Sequence, residues 1–238
     1  MGRLSSFLNR ILSACMPGRD IAGSYEDALG AYRQGNNKKA YLLFKPLAEQ
    51  GLPGAQLILG FMHYSGRGVP QDYAEAVKWF REAAERGNAD AQANLGYMYD
   101  NGRGVPPDHA EAAKWFRKAA EQGDTDSQSN LGYAHNHGRG VSQDHAEAVK
   151  WYQKAAEQGQ SDAQLKLGLL YALGQGVPQN NVLAHMWMNL AASGNPSLAS
   201  EKGNHAVKGA NLIVSKMTAD QIAEAQELAR EWKPRKKR

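Results

Sequence analysis

The stretch that decides the fold is residues 91–126, AQANLGYMYDNGRGVPPDHAEAAKWFRKAAEQGDTD. Close copies lie on both sides of it. Trp79, Trp115, Trp151 and Trp187 fall 36 residues apart, as do Gly60, Gly96, Gly132 and Gly168. A fixed period of this length marks a stacked array of small supersecondary units. Within the unit, Leu95, Met98 and Tyr99 share one face of a helix predicted over 91–101. Gly102 stops that helix, and Arg103-Gly104-Val105-Pro106 turns the chain, because proline forbids helical continuation. Asp108 is a good N-cap for a second helix, and Glu111 three places on predicts a capping box, as do Asp72/Glu75 and Asp144/Glu147. Ala112, Trp115, Phe116, Ala119 and Ala120 give the second helix its apolar face. One such hairpin cannot bury both faces alone, so its neighbours must complete the core.

Working outward, residues 127–162 and 55–90 repeat the unit closely, while 163–198 drifts, with Asn180 replacing the capping aspartate. Residues 22–54 read as a shortened, degenerate first unit with a Gly35-Asn36-Asn37 turn. Residues 199–232 read as C-terminal capping helices, one over 200–216 and one capped by Thr218 with Gln221 as box partner. On the latter, Ile222, Ala225, Leu228, Ala229 and Trp232 form the apolar line. The tail 233–238 is basic.

Residues 1–21 form a leader or an amphipathic helix, with Leu4, Phe7, Leu8, Ile11, Leu12 and Cys15 at helical spacing. Three other readings compete with a packed or disordered leader. Leu12-Ser13-Ala14-Cys15 matches a lipoprotein cleavage box with Cys15 as the lipidated residue, although Asn9 and Arg10 interrupt the apolar run. Met1-Gly2 with Ser6 fits a myristoylation pattern, and the helix itself could dock on a membrane surface. No run reaches the roughly 20 apolar residues that span a bilayer, so no transmembrane segment is expected.

The chain has 238 residues and a formal charge of +4, distributed unevenly. Residues 1–19 carry +3 and residues 233–238 carry +5, which leaves the body at −4. A basic face along the array, as nucleic-acid binding needs, is not indicated. A single cysteine leaves no internal disulfide and no multi-cysteine metal site. The sequence has no Gly-x-Ser-x-Gly elbow, Ser-x-x-Lys, His-Glu-x-x-His or phosphate loop. Gly66/Gly68 follows a predicted helix rather than a strand, which makes it a turn. His135, His137, Asp144 and His145 offer metal-ligand chemistry, but His109 and His145 share a repeat position that Tyr73 also occupies. Surface variation is therefore preferred there, and no metal or cofactor is expected.

The succession Ala-Gln-x-x-Leu-Gly-x-x-Tyr, Gly-Arg-Gly-Val-Pro and Ala-x-x-Trp-x-x-x-Ala-Ala-x-x-Gly resembles the Sel1-like repeat, a relative of the tetratricopeptide repeat. The resemblance covers 55–198 strongly and 22–54 weakly. It implies an all-α, right-handed α/α solenoid of stacked helix-turn-helix repeats with C-terminal capping helices. It also implies a non-catalytic scaffold that binds a protein or peptide partner. Cysteine-rich relatives are described as binding or slowly hydrolysing β-lactams, but their disulfide-paired repeats are missing here. That hydrolase reading, and a lipid-anchored envelope adaptor, stand as alternatives.

Laid on the tetratricopeptide hairpin, each unit turns Leu95, Gly96 and Tyr99 inward and the residue after the glycine into the groove. Across the array that groove position reads Phe61, Tyr97, Tyr133 and Leu169. Flanking positions supply Tyr64, Asp100, Asn101, Asn136 and His137. Aromatic rings bordered by amides suit an extended peptide; the competing reading is that the rings only pack on the adjacent first helix. The expected location is the cytoplasm, with export or lipid anchoring through Cys15 as the alternative.

Overall fold

The 36-residue period is carried directly into the backbone. A computed structural model describes residues 21–193 and 201–234, and the leader readings, Cys15 among them, lie outside these residues. Twelve helices and no strand occur among the described residues. The chain divides into two compact units, one ending at Pro107 and one starting at Asp108.

The first unit contains α1 (Ile21–Arg33), α2 (Asn37–Glu49), α3 (Pro53–Ser65), α4 (Tyr73–Glu85) and α5 (Ala89–Asn101). Each helix packs on the next. Ala40, Phe44, Leu47, Leu59, Met62 and Trp79 are buried together, and Tyr25 and Tyr32 meet the Phe44 ring edge-on at 5.7 and 6.4 Å. The second unit contains α6 (His109–Glu121), α7 (Thr125–His137), α8 (His145–Glu157), α9 (Ser161–Leu173), α10 (Asn181–Ser193), α11 (Glu201–Val214) and α12 (Ala219–Glu231). Here α6 to α10 pack in succession, and α11 and α12 both pack on α10. The fold class is thus all-α, with consecutive helices packed as repeats.

Two local devices hold the register. At the end of α3, Gly66 takes a left-handed conformation (φ 70°), its N–H and that of Arg67 both donating to the Met62 carbonyl. Two residues on, Gly68 (φ 80°) lies against the start of α2, where a Cβ would come within 2.5 Å of the Asn37 carbonyl oxygen. The second device is a buried glutamine. Gln56, Gln92, Gln128 and Gln164 each donate to a carbonyl in the last turn of the preceding helix: Ala48, Ala84, Ala120 and Ala156, at 3.0–3.2 Å. Helix C-termini leave such carbonyls without an intrahelical donor, so each unit satisfies the end of the one before it.

Two details differ from the sequence reading. The first helix of the unit starts at Ala89, two residues before Ala91, because the Asn88 side chain accepts from Ala91 N–H at 2.8 Å. The capping box is also only half formed: Asp72, Asp108 and Asp144 accept from the backbone of Glu75, Glu111 and Glu147 at 2.9–3.0 Å. The glutamates do not return the bond; they reach forward to Lys78, Lys114 and Lys150. The reason is visible at Asp72 and Asp144, whose own N–H groups already donate to the His63 and His135 carbonyls at 2.9 Å. Thr218 and Gln221 do form the full reciprocal box.

Candidate ligand-binding surface

The tight glycine of each first helix separates two environments. Leu59, Leu95, Leu131 and Leu167, just before it, are fully buried. Phe61, Tyr97, Tyr133 and Leu169, just after it, keep 36, 38, 40 and 37% of their surface exposed. Helical geometry turns successive residues by about 100°, so the two-position step across the glycine turns about 200° and crosses from core to solvent. The glycine itself permits close packing: a Cβ at Gly60 would sit 2.5 Å from the Phe80 ring.

In the first unit the exposed rings belong to a larger cluster. Phe61 meets Phe80 edge-on at 5.3 Å, and Tyr64 packs against Tyr73 at 5.3 Å. The Arg103 guanidinium, from the turn after α5, lies over the Tyr64, Tyr73 and Tyr97 rings at 5.6, 5.8 and 5.3 Å. It also donates to the Tyr64 hydroxyl. Burial first, then hydrogen bonding with Tyr97, pushes the Tyr64 phenol above its ordinary pKa, so it stays a neutral donor and acceptor. Asn101 is exposed and donates to the Tyr97 carbonyl at 2.9 Å, while Asp100 is half-buried beside it. A planar cation stacked on three rings fixes their orientation.

The second unit builds its patch differently. The Tyr133 and His137 rings lie 4.1 Å apart at 31°, and His137 Nδ1–H donates to the Tyr133 carbonyl at 3.0 Å. Asn136 is engaged by its neighbours: its carbonyl accepts from Gln143 and its side-chain oxygen from His145 Nδ1, both at 2.9 Å. Leu169 is followed one turn later by Leu173, which is 65% exposed.

The histidines do not gather around a metal position. His135 is buried, its Nε2 accepting from the Arg117 guanidinium at 3.1 Å. His145 is committed to Asn136 and Asp144 to capping α8. Among the described residues no group of three or more His, Cys, Asp or Glu side chains is placed to hold a metal ion. No described helix is long and apolar enough to cross a membrane.

Sequence reasoning missed Tyr73 and Arg103. Arg103 was hidden because the Gly-x-Gly-Val segment that holds it reads as a turn in all four copies. The available signal was coincidence: only at this turn do a tyrosine two positions before the first glycine of the preceding turn (Tyr64), one at the next helix start (Tyr73) and one on the groove position (Tyr97) occur together.

Helix pairs repeated at this period, four of them leaving a ring or leucine exposed beside a buried leucine-glycine step, define a helical-repeat protein. Five Sel1 repeats match the chain at residues 22–52, 53–88, 89–124, 125–160 and 161–196, and the chain belongs to the Sel1 repeat family. A Sel1 repeat protein from Oxalobacter formigenes is similar in structure, with 28% identity, 87% of this chain and 82% of that chain covered, and a TM-score of 0.71. pilF of Pseudomonas aeruginosa shares the fold at 18% identity, over 88% of this chain and 90% of that chain, with a TM-score of 0.56. No curated protein matches the chain.

Proposed function

We propose that this protein is a non-catalytic scaffold that holds an extended segment of a partner protein against its exposed ring positions. The observation that carries the reading is one repeat position, occupied by Phe61 and Tyr97 in the first unit and by Tyr133 and Leu169 in the second, where each side chain is more than a third exposed. Single exposed apolar residues are ordinary on protein surfaces; the same position left open in four successive copies is not. In the first unit Tyr64, Asp100 and Asn101 border the rings, and in the second Asn136, His137 and Leu173 do so. Membership of a family that serves in general as an interaction scaffold supports the same reading.

The test is selection of binders from a random-peptide library on the purified full chain, followed by anisotropy titration of the recovered peptides. Phe61→Ala/Tyr97→Ala/Tyr133→Ala is expected to keep its helical circular dichroism and lose more than tenfold in affinity, since each anchoring ring contributes roughly 1–3 kcal/mol. A folded variant with undiminished affinity overturns the proposal, and loss of fold assigns the rings to packing instead. The location proposed for it is the cytoplasm. Partition of the wild type, but not Cys15→Ser, into detergent would replace that location with a lipid-anchored one.

A further inference from the structure

The outward face of α2 departs from every regular copy of its helix. In α4, α6 and α8 the second, third and sixth positions read Ala-Glu…Lys: Ala74, Glu75 and Lys78; Ala110, Glu111 and Lys114; Ala146, Glu147 and Lys150. Each glutamate holds its lysine at 2.9–3.2 Å. In α2 the same positions are Lys38, Lys39 and Leu42. Lys38 and Lys39 are exposed, and Leu42 keeps 70% of its surface open to solvent. Lys45 and Pro46, one turn on, are exposed too, and one acid, Glu49, closes the face at its C-terminal end. At 100° per residue Lys38, Leu42, Lys45 and Glu49 share one narrow stripe, with Lys39 and Pro46 along its edge.

This arrangement works against the isolated fold. The first turn of α2 has no acidic residue and two lysines, where the helix dipole favours anions. Lys39 takes the place of the carboxylate that would neutralise the next turn. An exposed leucine then sits where the copies have a solvated lysine. Local rules broken together at one place point to a ligand that repays them. The required ligand is an extended anionic surface with an apolar layer directly beneath it, since the leucine lies among the lysines rather than apart from them.

We infer that α2 docks on the surface of an anionic bilayer, with Lys38, Lys39 and Lys45 among the headgroups and Leu42 inserted at the acyl boundary. The residues that precede α1 carry related chemistry in their sequence, three arginines against the single acid Asp20 and an apolar spacing from Leu4 to Leu12. An acidic protein segment would meet the lysines but gives no reason for a leucine left open at their centre.

The experiment is co-sedimentation of the full chain with phosphatidylcholine vesicles, with and without about 30 mol% phosphatidylglycerol, at low salt and about 0.5 M NaCl. Binding is expected only with the anionic lipid and should weaken with salt. Lys38→Ala/Lys39→Glu/Leu42→Lys copies the pattern of α4, α6 and α8, so it should fold and melt no lower than wild type. Its partition onto anionic vesicles should fall by more than about tenfold. Lys38→Gln/Lys39→Gln, a milder pair, should reduce partition with no change in circular dichroism. The inference fails if the wild type stays in the supernatant. It fails equally if the triple variant sediments like wild type, which would assign binding to the leader. Tighter binding to a glutamate-rich peptide than to vesicles, abolished by the same substitutions, would make the partner an acidic protein and overturn the bilayer.

Discussion

Helices α8 and α10 occupy the same place in successive repeats and face opposite surroundings. On α8 the third and sixth positions are Glu147 and Lys150, paired at 2.9 Å, with the lysine side chain 68% exposed. On α10 the same positions are Leu183 and Met186, and Met186 is buried. What covers it is α12, whose Leu228 and Ala229, with Trp232 just past its end, pack into the cluster of Met186, Trp187 and Leu190. The repeat tryptophan changes its company accordingly: Lys154 lies over Trp151 at 4.1 Å, whereas Trp232 meets Trp187 edge-on at 6.2 Å. The residue at a repeat position therefore records what lies over it, and the terminal copy differs where its cap sits.

Breaking the capped side should have the largest effect. Trp187→Ala removes a buried ring and the surface on which Trp232 rests. Removal of a buried aromatic costs about 3–5 kcal/mol. Urea unfolding should show that loss, and hydrogen exchange should show early opening of α12. A loss confined to α10, with α12 protection unchanged, would mean that the cap stands independently of it.

Met186→Lys gives α10 the residue that α8 carries, but under a cover. An unpaired charge driven into that cluster should cost more than about 2 kcal/mol. Exchange protection of α12 should collapse while α6 to α8 keep theirs. A variant as stable as wild type would show that α12 leaves room for water above Met186.

A third contrast is titratable. His185 on α10 stands where α8 has Val149, and both are buried. Burial holds the His185 imidazole below its ordinary pKa, so the unfolded chain takes up a proton more readily than the folded one. Stability from this source is complete above the unfolded value of about 6.5 and is lost as pH falls through it toward the lower folded value. His63 in the first unit acts in the same direction, burial outweighing the opposing Glu75 and Asp72 carboxylates. The melting temperature should drop between pH 7.5 and pH 5, and His185→Val should flatten part of that drop. An unchanged pH profile in the variant would remove His185 from the account.

Much of this was legible in the sequence, for physical reasons. Leu-Gly pairs and tryptophans at a fixed interval state that identical packing recurs, and Gly102 and Asp108 mark where helices must end and start. The apolar line Ala225, Leu228, Ala229 and Trp232 showed that α12 needs a partner; that α10 supplies it, with Met186 in the contact, emerged only with the fold. Illegible were contacts made by long side chains across units of the repeat. Gln56 reaching Ala48, and Arg103 reaching Tyr64 and Tyr73, depend on three-dimensional reach rather than on local pattern. The direction of Glu147 was misread for the same reason. Whether it returns to Asp144 depends on a carbonyl in another helix, that of His135, which already takes the Asp144 N–H.

The smallest effect belongs to Lys150→Met, the mirror of Met186→Lys. Lys150 is its own helix's surface, and its amine touches only the Glu147 carboxylate among the described groups that hold it. Glu147 also accepts from Trp151 Nε1 at 3.0 Å, so losing the lysine leaves that carboxylate bonded and facing water. The Glu147 carboxyl is held below its usual range chiefly by the Lys150 hydrogen bond, and in Lys150→Met it should titrate closer to an ordinary glutamate. Exposed pairs of this kind contribute little to stability because water and salt replace the partner. The melting temperature should therefore move by no more than about 2 °C, while the Glu147 carboxyl resonance in a pH titration shifts upward. A large melting shift would show that the α8 face is not free to solvent, and the contrast with α10 would then no longer rest on what covers it.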